Sequence, residues 1–219
     1  MSTDLFKCLN VGNLGTELLN HCGKRNMMLK TLFLLSILFF FSDAGSIREE
    51  RSVTPVITVT NGGPWGSWGW VSQCPWNSKA IGFSLKIEGR QGRGDDTAMN
   101  GIRLYCSGGN GYVESKNGPW GDWTSAVWCP GSGVLTAFAL QVESRQGDGD
   151  DTAANNIKFM CSSGPVIEGI GQEWGSYGAW SGSCDYGISG LQTKVEDPQG
   201  RGDDTALNDV QFSCLSKSN

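Results

Sequence analysis

Gln91-Gly-Arg-Gly-Asp-Asp-Thr-Ala98 returns as Gln146-Gly-Asp-Gly-Asp-Asp-Thr-Ala153 and again as Gln199-Gly-Arg-Gly-Asp-Asp-Thr-Ala206. The copies start 55 and then 53 residues apart, a period that marks three tandem structural units. The residues around each copy recur as well. Trp65, Trp120 and Trp174 each precede a glycine, and Trp68, Trp123 and Tyr177 stand three residues further on. Cys74, Cys129 and Cys184 correspond, as do Cys106, Cys161 and Cys214.

Apolar residues on both sides of the acidic segment alternate with polar ones. The first unit has Phe83, Leu85, Ile87 and then Ile102, Leu104, Cys106; the second has Phe138, Leu140, Val142 and then Ile157, Phe159, Cys161. The third has Leu191, Thr193, Val195 and then Val210, Phe212, Cys214. Period two means a strand with one buried face. The segment between the two runs is then a tight loop, in which glycine supplies positive φ and Asp and Thr side chains bond nearby amides. Shorter strand candidates lie at 56–60, 112–115 and 166–169, and each Trp-Gly-x-Trp segment supplies a fourth strand. The expectation is an all-β chain of twelve strands in units 53–106, 107–161 and 162–214. Such sided ribbons cannot stand alone in water and must pack on a shared centre. The nine tryptophans, above all those of the repeated motif, are expected to fill much of that core.

Residues 32–41 form an uncharged apolar run, preceded by Lys30 and followed by Ser42, Ala44, Gly45 and Ser46. That order is a secretory signal. Ten residues of helix span about 15 Å, too short for a membrane anchor. The chain divides into an upstream extension (1–26), a signal (27–44) and one domain (45–219). Secretion supplies an oxidising compartment for the six cysteines beyond the signal. Threefold equivalence favours Cys74–Cys106, Cys129–Cys161 and Cys184–Cys214, with cyclic exchange between neighbouring units as the rival. A loop of about thirty residues gives each bond roughly 3–4 kcal/mol in the chain-entropy picture.

From residue 45 onward 13 Lys/Arg face 19 Asp/Glu, which disfavours nucleic acid and anionic membrane surfaces as partners. The one histidine, His21, precedes the signal, so the secreted chain has no Ser–His–Asp or Cys–His machinery and no His-based zinc site.

The runs Val59-Thr-Asn-Gly-Gly-Pro-Trp-Gly-Ser-Trp-Gly69, Gly94-Asp-Asp-Thr-Ala-Met-Asn-Gly-Ile-Arg-Leu104 and Gly190-Leu-Gln-Thr-Lys-Val-Glu-Asp-Pro-Gln-Gly200 resemble the vitelline membrane outer layer protein 1 family. The resemblance covers about residues 47–216. It implies a β-prism of three four-stranded antiparallel Greek-key sheets around a pseudo-threefold axis. It also implies secretion and, in egg-laying animals, a place in the egg's outer coat. Members of that family carry a further cysteine pair in and after the third unit. Here that unit has only Cys184 and Cys214, so it is expected to be the least constrained.

A feature repeated three times is usually scaffold, and the acidic loops read that way first. Asp148, Asp150 and Asp151 would suit calcium, but Arg93 and Arg201 replace Asp148 in the other copies, so no metal or cofactor is expected. Arg93-Gly94-Asp95 and Arg201-Gly202-Asp203 spell an integrin tripeptide that the middle copy breaks. Extracellular glycans or glycoproteins are the expected partners, since the β-prism resembles plant lectin folds and sugar sites combine acids with aromatic faces. The candidate contacts are Asp95, Asp96, Asp150, Asp151, Asp203 and Asp204, with Trp70, Trp76, Trp128 and Trp180. Those four tryptophans fall off the threefold pattern or in loops, which suits exposed stacking, and they could meet the aspartates at loop ends. A glycan-active enzyme is the alternative, drawing on Glu88, Glu143, Glu196 and the paired aspartates. No acid among them stands out as catalytic.

Overall fold

The computed structural model describes residues 54–89, 97–143, 154–199 and 205–217. The upstream segment, the apolar run and the six candidate aspartates lie outside the described residues. Every element described is a strand. Six are long: β4 (Ala80–Ile87), β5 (Met99–Cys106), β9 (Leu135–Val142), β10 (Ala154–Cys161), β13 (Ile188–Val195) and β14 (Leu207–Cys214). They are the six alternating runs, and they form the antiparallel hairpins β4/β5, β9/β10 and β13/β14.

Short strands complete the sheets. β6 (Tyr112–Glu114) follows β5, and β7 (Asp122–Trp123) then returns to lie beside β4, giving the order β6-β5-β4-β7 of a Greek key. The second sheet repeats this as β11-β10-β9-β12, with β11 (Val166–Glu168) and β12 (Ser176–Tyr177). The third has the same order from a cut chain, β1-β14-β13-β2, with β1 (Val56–Ile57) and β2 (Ser67–Trp68) coming from the start of the domain. β3 (Ser72–Gln73) and β8 (Val127–Trp128) add a fifth strand to the third and first sheets. The twelve expected strands are therefore fourteen among the described residues.

The repeats and the sheets do not share boundaries. The Trp segment of each repeat pairs with the hairpin of the preceding one: β7 with β4, β12 with β9, and β2 with β13. A repeat defined by sequence is thus split between two sheets, which fastens neighbouring units together. Disulfides close Cys74–Cys106, Cys129–Cys161 and Cys184–Cys214, with Cα separations of 5.7, 5.7 and 5.1 Å.

One cluster of buried side chains draws on all three hairpins. At its centre four phenylalanines meet: Phe83 and Phe159 at 4.7 Å between ring centroids, Phe138 and Phe212 at 4.7 Å, Phe159 and Phe212 at 5.2 Å. Thr193, the polar member of its run, is fully buried; its hydroxyl donates to the Lys116 carbonyl and its amide to Ser115 Oγ.

The tryptophans are not in this core, contrary to expectation. Eight of the nine are exposed, from 38% for Trp180 to 92% for Trp76, and Trp123 is half-buried. The reason is register. Trp68 pairs with Lys194 and Trp123 with Lys86, and both lysines lie on the outer face of their strands. Phenylalanine and aliphatic side chains already fill the inner positions, leaving no volume for an indole.

Candidate functional site

Where the long hairpins lead toward the acidic loops, one bracket of side chains occurs twice among the described residues. Glu88 follows β4, and its Oε2 accepts a hydrogen bond from the Thr97 hydroxyl at 2.5 Å. Thr97 Oγ1 in turn accepts from Asn100 Nδ2 at 2.7 Å. Glu196, Thr205 and Asn208 repeat both bonds, at 2.5 and 2.7 Å. All of these side chains except Glu196 are buried, so the Glu88 carboxyl group is bonded to a buried hydroxyl rather than left to water. Ala98 (φ 50°) and Ala206 (φ 45°) next to the threonines take the left-handed backbone that returns the chain to β5 and β14. The described part of the acidic motif is therefore structural: Glu88 and Glu196, acids that a glycan-active enzyme could draw on, are each bonded to a threonine.

At all three corners the backbone carbonyl of the equivalent asparagine carries a tryptophan segment from the next repeat. The backbone amides of Gly63, Gly118 and Gln172 donate to the carbonyls of Asn208, Asn100 and Asn155 at 2.7, 2.6 and 2.9 Å. Trp65, Trp120 and Trp174 follow two residues later. The glycine after each tryptophan has a left-handed φ (79°, 78° and 75°) and lies against the backbone at the end of a long strand. A Cβ at Gly121 would fall 2.3 Å from the Ile87 carbonyl, and one at Gly175 would fall 2.2 Å from that of Val142. That contact is why glycine follows tryptophan all three times. A polar side chain on the outer face secures the segment from beneath. Lys86 Nζ donates to Gly118 O and Pro119 O (2.9 Å each), Lys194 Nζ to Pro64 O (2.6 Å), and Gln141 Nε2 to Trp174 O (2.9 Å).

Three indoles, 48%, 47% and 43% exposed, thus stand where the chain enters the acidic loops. These are the repeated tryptophans, which the sequence had pointed to the core. The signals that locate them are the glycine after each one and the Lys86/Gln141/Lys194 position one residue before the end of each alternating run.

The four tryptophans read as stacking candidates are exposed but dispersed. Trp76 lies between Cys74 and β4, at the disulfide end, and lines a cleft of about 670 Å3 with Gln73, Ser189 and Lys217. Trp128 lies opposite Gly82 near the same end and borders a second cleft of about 550 Å3. Trp70 donates through Nε1 to Glu114 O at 3.2 Å, and Trp180 has the Lys158 ammonium 5.4 Å from its ring. The acidic loops leave β4 after Ile87 and enter β5 before Met99, whereas Trp76 and Trp128 lie by Ala80 and Cys106. An eight-residue strand, roughly 23 Å, separates those two ends. The aspartates that these tryptophans were expected to meet lie outside the described residues; among the described residues, Trp65, Trp120 and Trp174 are the indoles nearest the strand ends that lead to the acidic loops.

Two half-buried groups near the sheets' outer faces have pKa values shifted upward by burial. Burial raises the Tyr177 hydroxyl well above the ordinary phenol range, reinforced by its 2.8 Å bond to Glu168. Burial also raises Asp209, against the opposing pull of the Val210 amide and Lys194.

Residues 55–217 match the family model described as vitelline membrane outer layer protein I. The vitelline membrane outer layer protein 1 homolog of Mus musculus is 47% identical over 193 residues, covering 85% of this chain and 96% of that protein. The homolog of Homo sapiens is 53% identical over 171 residues, covering 75% and 85%. Among solved structures, Calystegia sepium agglutinin superposes with a TM-score of 0.50 at 13% identity, over 75% of this chain and 98% of that one, a likeness of fold.

Proposed function

Because the chain belongs to the vitelline membrane outer layer protein I family, we propose that it is a secreted structural component of an extracellular coat or matrix that associates with glycans or glycoproteins. The observation that carries this reading is the exposure of eight of nine tryptophans on a domain whose core is complete without them. Indole is the side chain that gains most from burial, so displaying it calls for a partner to cover it. Pyranose rings present C–H faces that stack on indole and hydroxyls that bond neighbouring polar groups. Three equivalent backbone bonds, and the glycine contact after each indole, hold Trp65, Trp120 and Trp174 on rigid backbone, which lowers the entropy lost on binding. Three disulfides and strand-exchanged sheets suit a protein that must persist outside the cell. The fold likeness to an agglutinin is compatible with sugar binding but assigns no site.

The test uses the full oxidised chain recovered from culture medium. It is applied to a glycan array and to insoluble polysaccharides and coat glycoproteins, and every hit is then followed by mass spectrometry for product. Retention without product is the expected result. Retention with product would move the assignment to a glycan-active enzyme. No retention on any glycan or glycoprotein would refute the association.

A further inference from the structure

The three sheets are alike inside and different outside. On the outer face of the first sheet, Trp128, Gly82, Tyr105 and Tyr112 are register partners across β8, β4, β5 and β6. Residues in register share a face, so three aromatic side chains form one row running across the strands. Tyr105 lies 4.8 Å from Trp128 and 6.1 Å from Tyr112, ring centre to ring centre. Trp128 and Tyr112 are about half exposed, at 49% and 51%, with Tyr105 wedged between them. In the other sheets the residues in register at this level are Met160 and Val166, and Gln73, Ser213 and Val56. A row needed to hold the prism together would be aromatic three times; this one is aromatic once.

The row is built to stay rigid. A Cβ on Gly82 would fall 2.6 Å from Trp128 Cε3, so the missing side chain is what lets the indole lie down on the sheet. Tyr112 is backed by the Arg103 guanidinium, 3.9 Å from its ring centre, and Arg103 also lies 4.1 Å from the Trp123 ring. Glu114 engages the same guanidinium at 2.6 Å. With its charge matched and its faces covered, Arg103 has no free fork for a carboxylate or sulfate. At the Trp128 end the row runs into the cleft of about 550 Å3, where Asn77, Lys79, Ser107 and Ser132 offer hydrogen-bonding groups.

We propose that the row Trp128–Tyr105–Tyr112 is a binding site for an uncharged, linear oligosaccharide. Non-adjacent sugar rings of one chain stack on Trp128 and Tyr112, and its end enters the cleft. The proposal rests on the glycan reading above, but it names a site at the disulfide-proximal face, distinct from Trp65, Trp120 and Trp174. A glycan held here leaves the acidic-loop end free, so one molecule can bridge two strands of a coat.

The oxidised full chain is titrated calorimetrically with uncharged β-linked oligomers of glucose, mannose and N-acetylglucosamine, from two to six sugars, and with sulfated and sialylated counterparts. Affinity is expected to rise with length and to favour the uncharged series. Trp128→Ala and Tyr112→Ala should each weaken binding about tenfold. Gly82→Ala, which retains every aromatic but displaces the indole, should weaken it comparably. Near-UV circular dichroism and intact-mass analysis confirm that each variant is folded and oxidised. If the wild type binds and these variants bind equally well, or if only a Trp65/Trp120/Trp174 triple alanine variant loses binding, the row is refuted and the glycan reading stands. Preference for the anionic series would refute the ligand class. Absence of binding to every oligomer and every array glycan would remove both.

Discussion

Replacing Gly121 by alanine is expected to destabilise the protein far more than the same change at Gly131, and the structure supplies the difference. Both glycines have left-handed φ, 78° and 63°, so each substitution incurs the same backbone penalty of about 1–2 kcal/mol. Around Gly131 a new Cβ meets nothing within 4 Å. At Gly121 it would fall 2.3 Å from both C and O of Ile87 and 2.4 Å from the Glu88 nitrogen, all of them backbone atoms. The Trp120 segment must then lift off β4. That movement loses the pairing of Trp123 with Lys86 and of Asp122 with Ile87, together with two bonds from Lys86. At about 0.5–1.5 kcal/mol for each of these four interactions, the excess is roughly 2–6 kcal/mol. Calorimetry under non-reducing conditions should show Gly131→Ala melting about 2–8 °C below the wild type and Gly121→Ala about 6–32 °C below, at about 2–4 °C per kcal/mol for a domain of this size. Equal losses would mean that the close approach at Gly121 does not hold the tryptophan segment, and the account of the Trp-Gly motif would fail.

Three more outcomes can be checked. Acrylamide should quench most of the native tryptophan fluorescence with little further gain on unfolding; strongly protected emission would contradict the exposed indoles. Thr97→Val keeps the shape but strips Glu88 of its hydroxyl donor, and denaturant titration should show a loss of about 1–3 kcal/mol, whereas a neutral result would make the bracket dispensable. Asp209 is raised by burial, so the folded chain holds that proton more tightly than the unfolded one. Its contribution is most favourable at low pH and is lost as pH rises through the folded pKa. Asp209→Asn should therefore be more stable than the wild type at pH 7, with the advantage shrinking as pH falls below the raised value; a pH-independent gap would refute this.

The long hairpins were readable because period-two alternation depends only on which face is buried, and Phe83, Phe138, Phe159 and Phe212 occupy those positions. The destination of the tryptophans was not readable from their size. It depends on pairing with Lys86 and Lys194, partners that lie one repeat away or at the far end of the domain. The same long-range pairing hid the exchange of Trp segments between units, since repeats show homology and not which neighbour a strand joins. The aromatic row was missed for the opposite reason. Tyr105 and Tyr112 break the threefold pattern, and attention to what recurs passes over what occurs once. The acidic loops gave up only their frame: Thr97, Asn100, Thr205 and Asn208 were structural, as glycine-rich turn chemistry suggests.

The third sheet joins the earliest strands of the domain to the latest, and this orders events at the ribosome. Gln192 and Gly69, bonded across that sheet, are 123 residues apart in the chain. At about 5–20 residues per second the first segment waits roughly 6–25 s for its partners to emerge. A polypeptide released before β13 and β14 would leave β1, β2 and β3 with no sheet to join. One that lost its leading segment would bare both flanks of the last hairpin, an invitation to pair with a sister molecule.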